Sequence, residues 1–188
     1  MQYPEACAGV KKIYAAEILS LVAIVLTITI VLSPAAAILF IISFVLKIVG
    51  INRASRDEEA FRNALIAVIV GIVASALVGL SKTDSFMHGL GSTLNDVCNF
   101  LVSYLVCKGI VNLANRLGDE ELAARGQKVM KLLKIVWAIA IVMGILSAVL
   151  GRGNALNVIL TIVSGVCAIV AYILYLKLLS RARPMLER

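Results

Sequence analysis

Six apolar stretches, at about 13–33, 35–51, 63–81, 94–113, 132–150 and 155–178, take up most of this 188-residue chain. Each is long enough, or nearly so, to cross a hydrocarbon layer about 30 Å thick. Backbone in such a layer has no water to bond, so it must satisfy its own hydrogen bonds as helix. The sequence therefore predicts an all-α, polytopic membrane helix bundle of six transmembrane helices, with residues 1–188 forming a single membrane domain. Composition agrees: 61% of the residues are hydrophobic and mean hydropathy is +1.00, whereas soluble domains are about half apolar. The connections are too short to hold a soluble catalytic domain. Pro4, Pro34 and Pro184 all lie outside the stretches, so the interrupted helices used by some transporters are not signalled. No short apolar core followed by a small-residue cleavage site is present, so the first stretch reads as a retained helix.

The basic residues orient this bundle. With the connections assigned alternately to two sides, Lys82 and Arg152 fall on one side and the other sixteen Lys and Arg on the opposite side. That bias predicts cytoplasmic termini. It also accounts for the +7 net charge without nucleic acid, because the basic face would meet the anionic headgroups of membrane lipids. Minimal loops and no organelle signal point to a bacterial plasma membrane.

Short outer turns at Ser33-Pro34 and at 151–154, and a longer outer loop at 82–93, divide the chain into three hairpins, about 13–51, 63–113 and 132–178. The linkers between them are alike. Asn52-Arg-Ala-Ser-Arg56 runs directly into Asp57-Glu58-Glu59, and Asn112-Leu-Ala-Asn-Arg116 precedes Asp119-Glu120-Glu121 by two residues. Glu58–Arg62 and Glu121–Arg125 have the favourable i,i+4 helical order. This weak internal repeat points to hairpin duplication. Three hairpins about one axis resemble the arrangement of the mitochondrial carriers, without their Pro-x-acidic-x-x-basic signature.

Polar residues inside the stretches are the candidate sites. Glu17 lies sixteen residues before Ser33 and Lys47 thirteen after Pro34, so both fall about 20–24 Å below the outer turn and at similar depth. Lys108 reaches a comparable level on the fourth helix, giving a candidate intramembrane charge cluster of Glu17, Lys47 and Lys108. Snorkelling of both lysines to the headgroups is the competing expectation. In the fourth stretch Asp96, Asn99 and Ser103 share a face with Tyr104 beside it, a candidate polar path; interhelical hydrogen bonding explains the same residues equally well. Ala67, Gly71, Ser75 and Gly79, and Ala140, Gly144 and Ala148, are small-residue stripes for close helix packing.

Cys7, Cys98, Cys107 and Cys167 form no metal-ligand or disulfide pattern and read as packing residues. His88, the only histidine, is expected in the outer loop, with too few neighbouring ligands for a metal. No nucleophile–base pair or paired mid-membrane acids are present, so no enzyme activity, cofactor or metal is expected.

Two functions remain. One is transport-related, a small channel or a solute-binding membrane subunit, and the size and span count are similar to those of the substrate-capturing subunits of vitamin importers. The other is a non-transporting scaffold, regulator or immunity-type protein. It would dock partners through Asn52, Arg56, Asp57, Glu58, Glu59, Asn112, Arg116, Asp119, Glu120 and Glu121. Partners under either reading are anionic lipid headgroups at the cytoplasmic face, with a homo-oligomer or a membrane partner subunit.

Overall fold

The computed structural model describes residues 2–28, 33–80, 86–150 and 155–187. They form six α-helices and, among the described residues, no sheet: α1 (Pro4–Ile28), α2 (Ser33–Ala54), α3 (Glu59–Leu80), α4 (Phe86–Arg116), α5 (Glu120–Leu150) and α6 (Ala155–Glu187). Among the described residues, four helical segments are long and apolar enough to cross a membrane, over Pro34–Ala54, Glu59–Leu80, Leu94–Arg116 and Gly165–Glu187.

Local sequence explains where the helices start and stop. Glu5, Glu59, Glu120 and Glu121 occupy first turns, and Arg53 and Arg116 occupy last turns, the placement that complements the helix dipole. Pro34 sits in the first turn of α2, where a missing N–H removes no helical bond. Gly118 adopts φ +74° at the end of α4, and the Asp119 amide returns to the Ala114 carbonyl at 2.9 Å, a left-handed helix stop.

Two expectations change. The stretch read as an outer loop at 82–93 is largely helix, because α4 begins at Phe86; His88 therefore lies on helical backbone. The turn placed at Ser33-Pro34 is instead the start of α2. Residues 81–85 and 151–154, with Lys82, Asp84 and Arg152, lie outside the described residues.

Each helix packs on its neighbour in sequence, and α6 closes the ring against α1 while also touching α4. The most extensive contacts are α1 with α2 and α3 with α4; α5 packs on α4 as fully as on α6. Gly9 and Gly50 let α1 and α2 cross closely: a Cβ on Gly50 would stand 2.8 Å from the Gly9 carbonyl oxygen. Gly109 does the same for α3 and α4, since the Phe61 ring occupies the space a Cβ would need.

The core gathers at the end of the bundle where the basic residues lie. Val10 and Ile13, Ile51, Phe61, Val106 and Ile110, Leu122, and Tyr175 and Leu179 meet there. Toward the other end large apolar side chains point outward, with Val25 62%, Ile41 65% and Ile169 61% exposed. Helices with apolar outer faces suit a hydrocarbon solvent rather than water, so the architecture is compatible with a membrane protein.

In α3 the buried stripe is Ala64, Ala67, Gly71 and Ala74, not the strict four-residue repeat, because 3.6 residues per turn carries Gly79 off the seam and leaves Ser75 at its exposed margin, where its hydroxyl still reaches α4. A Cβ on Gly79 would meet nothing within 4 Å. In α5, Ala140 is exposed, and the side chains at Gly144 and Ala148 lie outside the described residues.

Candidate functional site

Glu17 on α1 is buried, 5% exposed. Lys47 on α2 brings its Nζ to 2.8 Å from Glu17 Oε1. From α6, the Tyr172 hydroxyl donates to Glu17 Oε2 at 2.9 Å and lies 3.3 Å from the Glu17 carbonyl oxygen. One turn along from the lysine, Ser43 donates to the Ala16 carbonyl at 2.7 Å. The Tyr175 hydroxyl is buried beside this group with no hydrogen-bond partner among the described residues, its ring centroid 6.3 Å from that of Tyr172. The carboxylate thus has a cation on one oxygen and a phenol on the other, which offsets much of the cost of removing it from water. Lys108, placed at a similar level by counting residues, is exposed on the outer side of α4 and does not join the pair.

Lys47 also borders a cavity of about 410 Å³ between α2, α3 and α4. Its polar wall is Lys47, Ser75, Asn95 and Asn99, and its apolar wall includes Phe44, Val68, Ile72 and Val102. The Ser75 hydroxyl donates to Asn95 Oδ1 at 3.1 Å. A second hollow of about 300 Å³ lies on the other side of Lys47, against Glu17, Ser20 and Ser43. The lysine therefore stands between two hollows, paired on one side and open to amide and hydroxyl groups on the other.

Of the polar path expected on α4, Asn99 alone lines the cavity. Asp96 is exposed. The Ser103 hydroxyl donates back to the Asn99 carbonyl at 3.2 Å. Tyr104 stacks on Phe100 at 5.9 Å, Phe100 stacks on Trp137 at 5.0 Å, and the Lys134 ammonium lies 5.2 Å from the Tyr104 ring centre. Sequence reasoning missed Asn95 and read Ser75 only as a packing residue of the α3 stripe. The signal for Asn95 is its helical phase: with Asn99, Cys98 and Val102 it faces the small-residue stripe of α3, and a Cβ on Gly71 would lie 3.2 Å from Cys98 Cβ.

The two similar linkers meet each other. Glu58, 4% exposed, accepts from Asn112 Nδ2 at 2.6 Å and has Arg116 Nη2 3.0 Å from its other oxygen. The acid of the first motif is thus held by the asparagine and arginine of the second. The expected Glu58–Arg62 pair does not form, because Glu58 points inward to α4; Arg62 reaches Glu59 at 3.0 Å instead. Asp57 accepts the Ala6 N–H at 2.7 Å and so caps α1 from a distant segment. Asp119 caps α5 through the Leu122 N–H at 2.9 Å, and Glu121 pairs with Arg125. Asn52, Arg56, Glu59, Glu120 and Glu121 are exposed. Nearby, Lys11 lies 2.8 Å from Glu187, and that hydrogen bond raises the lysine pKa.

Compared with protein-family models, curated proteins and solved structures, the chain finds no match in any of the three.

Proposed function

We propose that this chain is a multi-pass transport-class membrane protein, a small channel or solute-binding subunit, that takes a small polar solute or ion into the cavity between α2, α3 and α4. All six helices cross the membrane in this reading, as three hairpins with both termini on the cytoplasmic side. One observation carries it: Lys47 is neutralised by a buried carboxylate yet lines a hollow whose other polar groups are Ser75, Asn95 and Asn99. A charge kept within a membrane-spanning bundle is costly, and such charges mark solute and ion pathways. The hydroxyl and two amides supply both donors and acceptors for a polar guest. Asp57 is taken up by the Ala6 amide, and Glu58 by Asn112 and Arg116, so these linker groups are used within the chain, which favours this reading over partner docking through the linkers.

The test is cysteine accessibility in a background without Cys7, Cys98, Cys107 and Cys167. Single cysteines replacing Ser75, Asn95 and Asn99 should react with a membrane-impermeant maleimide from at least one side of sealed vesicles. A cysteine replacing Leu101, on the outer face of α4, should stay unlabelled. Protection of all three cavity positions from both sides refutes the solute path.

A further inference from the structure

A groove of about 420 Å³ lies between α5 and α6, away from the cavity just described. Its floor is apolar, with Val129, Leu132, Leu174 and Leu178, and its rim carries four cations, Arg125, Lys128, Lys177 and Arg181. The helices run antiparallel here. Arg181 comes within 4.0 Å of Glu121, and a Cβ on Gly126 would lie 3.6 Å from Leu178. Leu132 therefore faces the level of Leu174. Along α6 the step from Leu174 to Arg181 is about 10 Å, so the groove passes from apolar to cationic over roughly the depth of a headgroup region. Beyond it the same helix faces continue with exposed apolar side chains, Ile135 at 56% and Val170 at 45%.

The charges on this rim are unequally used. Glu121 lies against both Arg125 and Arg181, whereas Lys128 and Lys177 have no acidic partner within 4 Å among the described residues. Two ammonium groups without counter-ions, above a leucine-lined floor that opens onto an apolar helix surface, complement one kind of molecule: a phosphate head joined to an acyl chain. We infer that this groove is a binding site for an anionic phospholipid, with its phosphate between Lys128 and Lys177 and a chain along Leu132 and Leu174. General attraction of a basic surface to an anionic leaflet needs no groove; two lysines left without counter-ions at the rim of an apolar slot select one lipid. This site does not depend on the solute reading of the α2–α4 cavity.

Native mass spectrometry of the full chain released from micelles containing phosphatidylglycerol or phosphatidylcholine tests it. The wild-type protein should retain one phosphatidylglycerol in preference to phosphatidylcholine. Lys128→Gln and Lys177→Gln should each weaken that retention about fivefold, and Lys108→Gln, an exposed lysine outside the groove, should leave it unchanged. Equal retention of the two lipids, or equal loss from Lys108→Gln, would overturn the assignment. So would displacement of phosphatidylglycerol by millimolar inorganic phosphate, which would make the site one for a free anion.

Discussion

Lys47→Met removes the cation beside Glu17 and keeps an unbranched side chain of similar length against α1. Glu17, 5% exposed, would then retain only the Tyr172 hydroxyl. Stripping a buried carboxylate of its counter-ion costs about 3–5 kcal/mol. The reverse change behaves differently. In Glu17→Gln the amide oxygen still accepts from Tyr172, and the Lys47 side chain, 27% exposed, turns its ammonium toward water or headgroups. That loss should stay below about 1.5 kcal/mol, near the upper range for polar contacts inside membrane bundles. The double variant leaves no buried charge and should return to within about 1 kcal/mol of wild type. Unfolding of the purified protein by increasing dodecyl sulfate in mixed micelles, followed by far-ultraviolet circular dichroism, measures all four corners of the cycle. Equal losses from the two single changes, or a double variant as weak as Lys47→Met, would show that Glu17 is not a desolvated charge.

Glu58→Ala should cost about 2 kcal/mol, since it leaves the Asn112 amide without its 2.6 Å acceptor. In double-mutant cycles the coupling of Glu58 to Asn112 should exceed that to Arg116, whose side chain is 52% exposed; the opposite ranking would contradict the burial argument. Gly50→Ala puts a Cβ 2.8 Å from the Gly9 carbonyl oxygen and 3.0 Å from the Ile13 nitrogen, both backbone atoms, and should destabilise by at least about 2 kcal/mol. Gly79→Ala meets nothing within 4 Å and should stabilise by about 0.5–1 kcal/mol through helix propensity; equal effects at the two glycines in the same unfolding assay would refute the close crossing of α1 and α2. Asp57→Ala should speed amide exchange at Ala6, with a loss of about 1 kcal/mol at the start of α1, and unchanged exchange there would count against that cap.

The helices were legible from hydropathy because an apolar run in a low-dielectric setting has one good backbone solution. The meeting of Glu17 with Lys47 was legible too, since counting back from the junction of two consecutive helices puts both at similar depth, although that junction lies just before Ser33 rather than at Ser33-Pro34. Depth alone does not fix direction, and Lys108 is exposed because of its phase on α4, between buried Cys107 and Gly109; its level also shifts because α4 begins at Phe86, and Lys47 meets α4 nearer Asn99 and Val102. Tyr172 lies 155 residues from Glu17, and nothing in its local sequence distinguishes it from Tyr175. The linkers show another limit. Reading them as two similar motifs revealed their likeness but not that the acid of one is bound by the asparagine and arginine of the other, which depends on how α3 and α4 are brought together.

The distances in sequence between the partners of Glu17 set an order of assembly during synthesis. Lys47 leaves the ribosome 30 residues after Glu17, whereas Tyr172 follows by 155 residues. At translation rates of about 5–20 residues per second, the first interval lasts about 2–6 s and the second about 8–31 s. The carboxylate is therefore made with its cation close behind and waits several times longer for its phenol. A nascent chain arrested before α6 would already contain the charge-neutral pair, and the last helix would close over a site whose electrostatics had been settled by the first two.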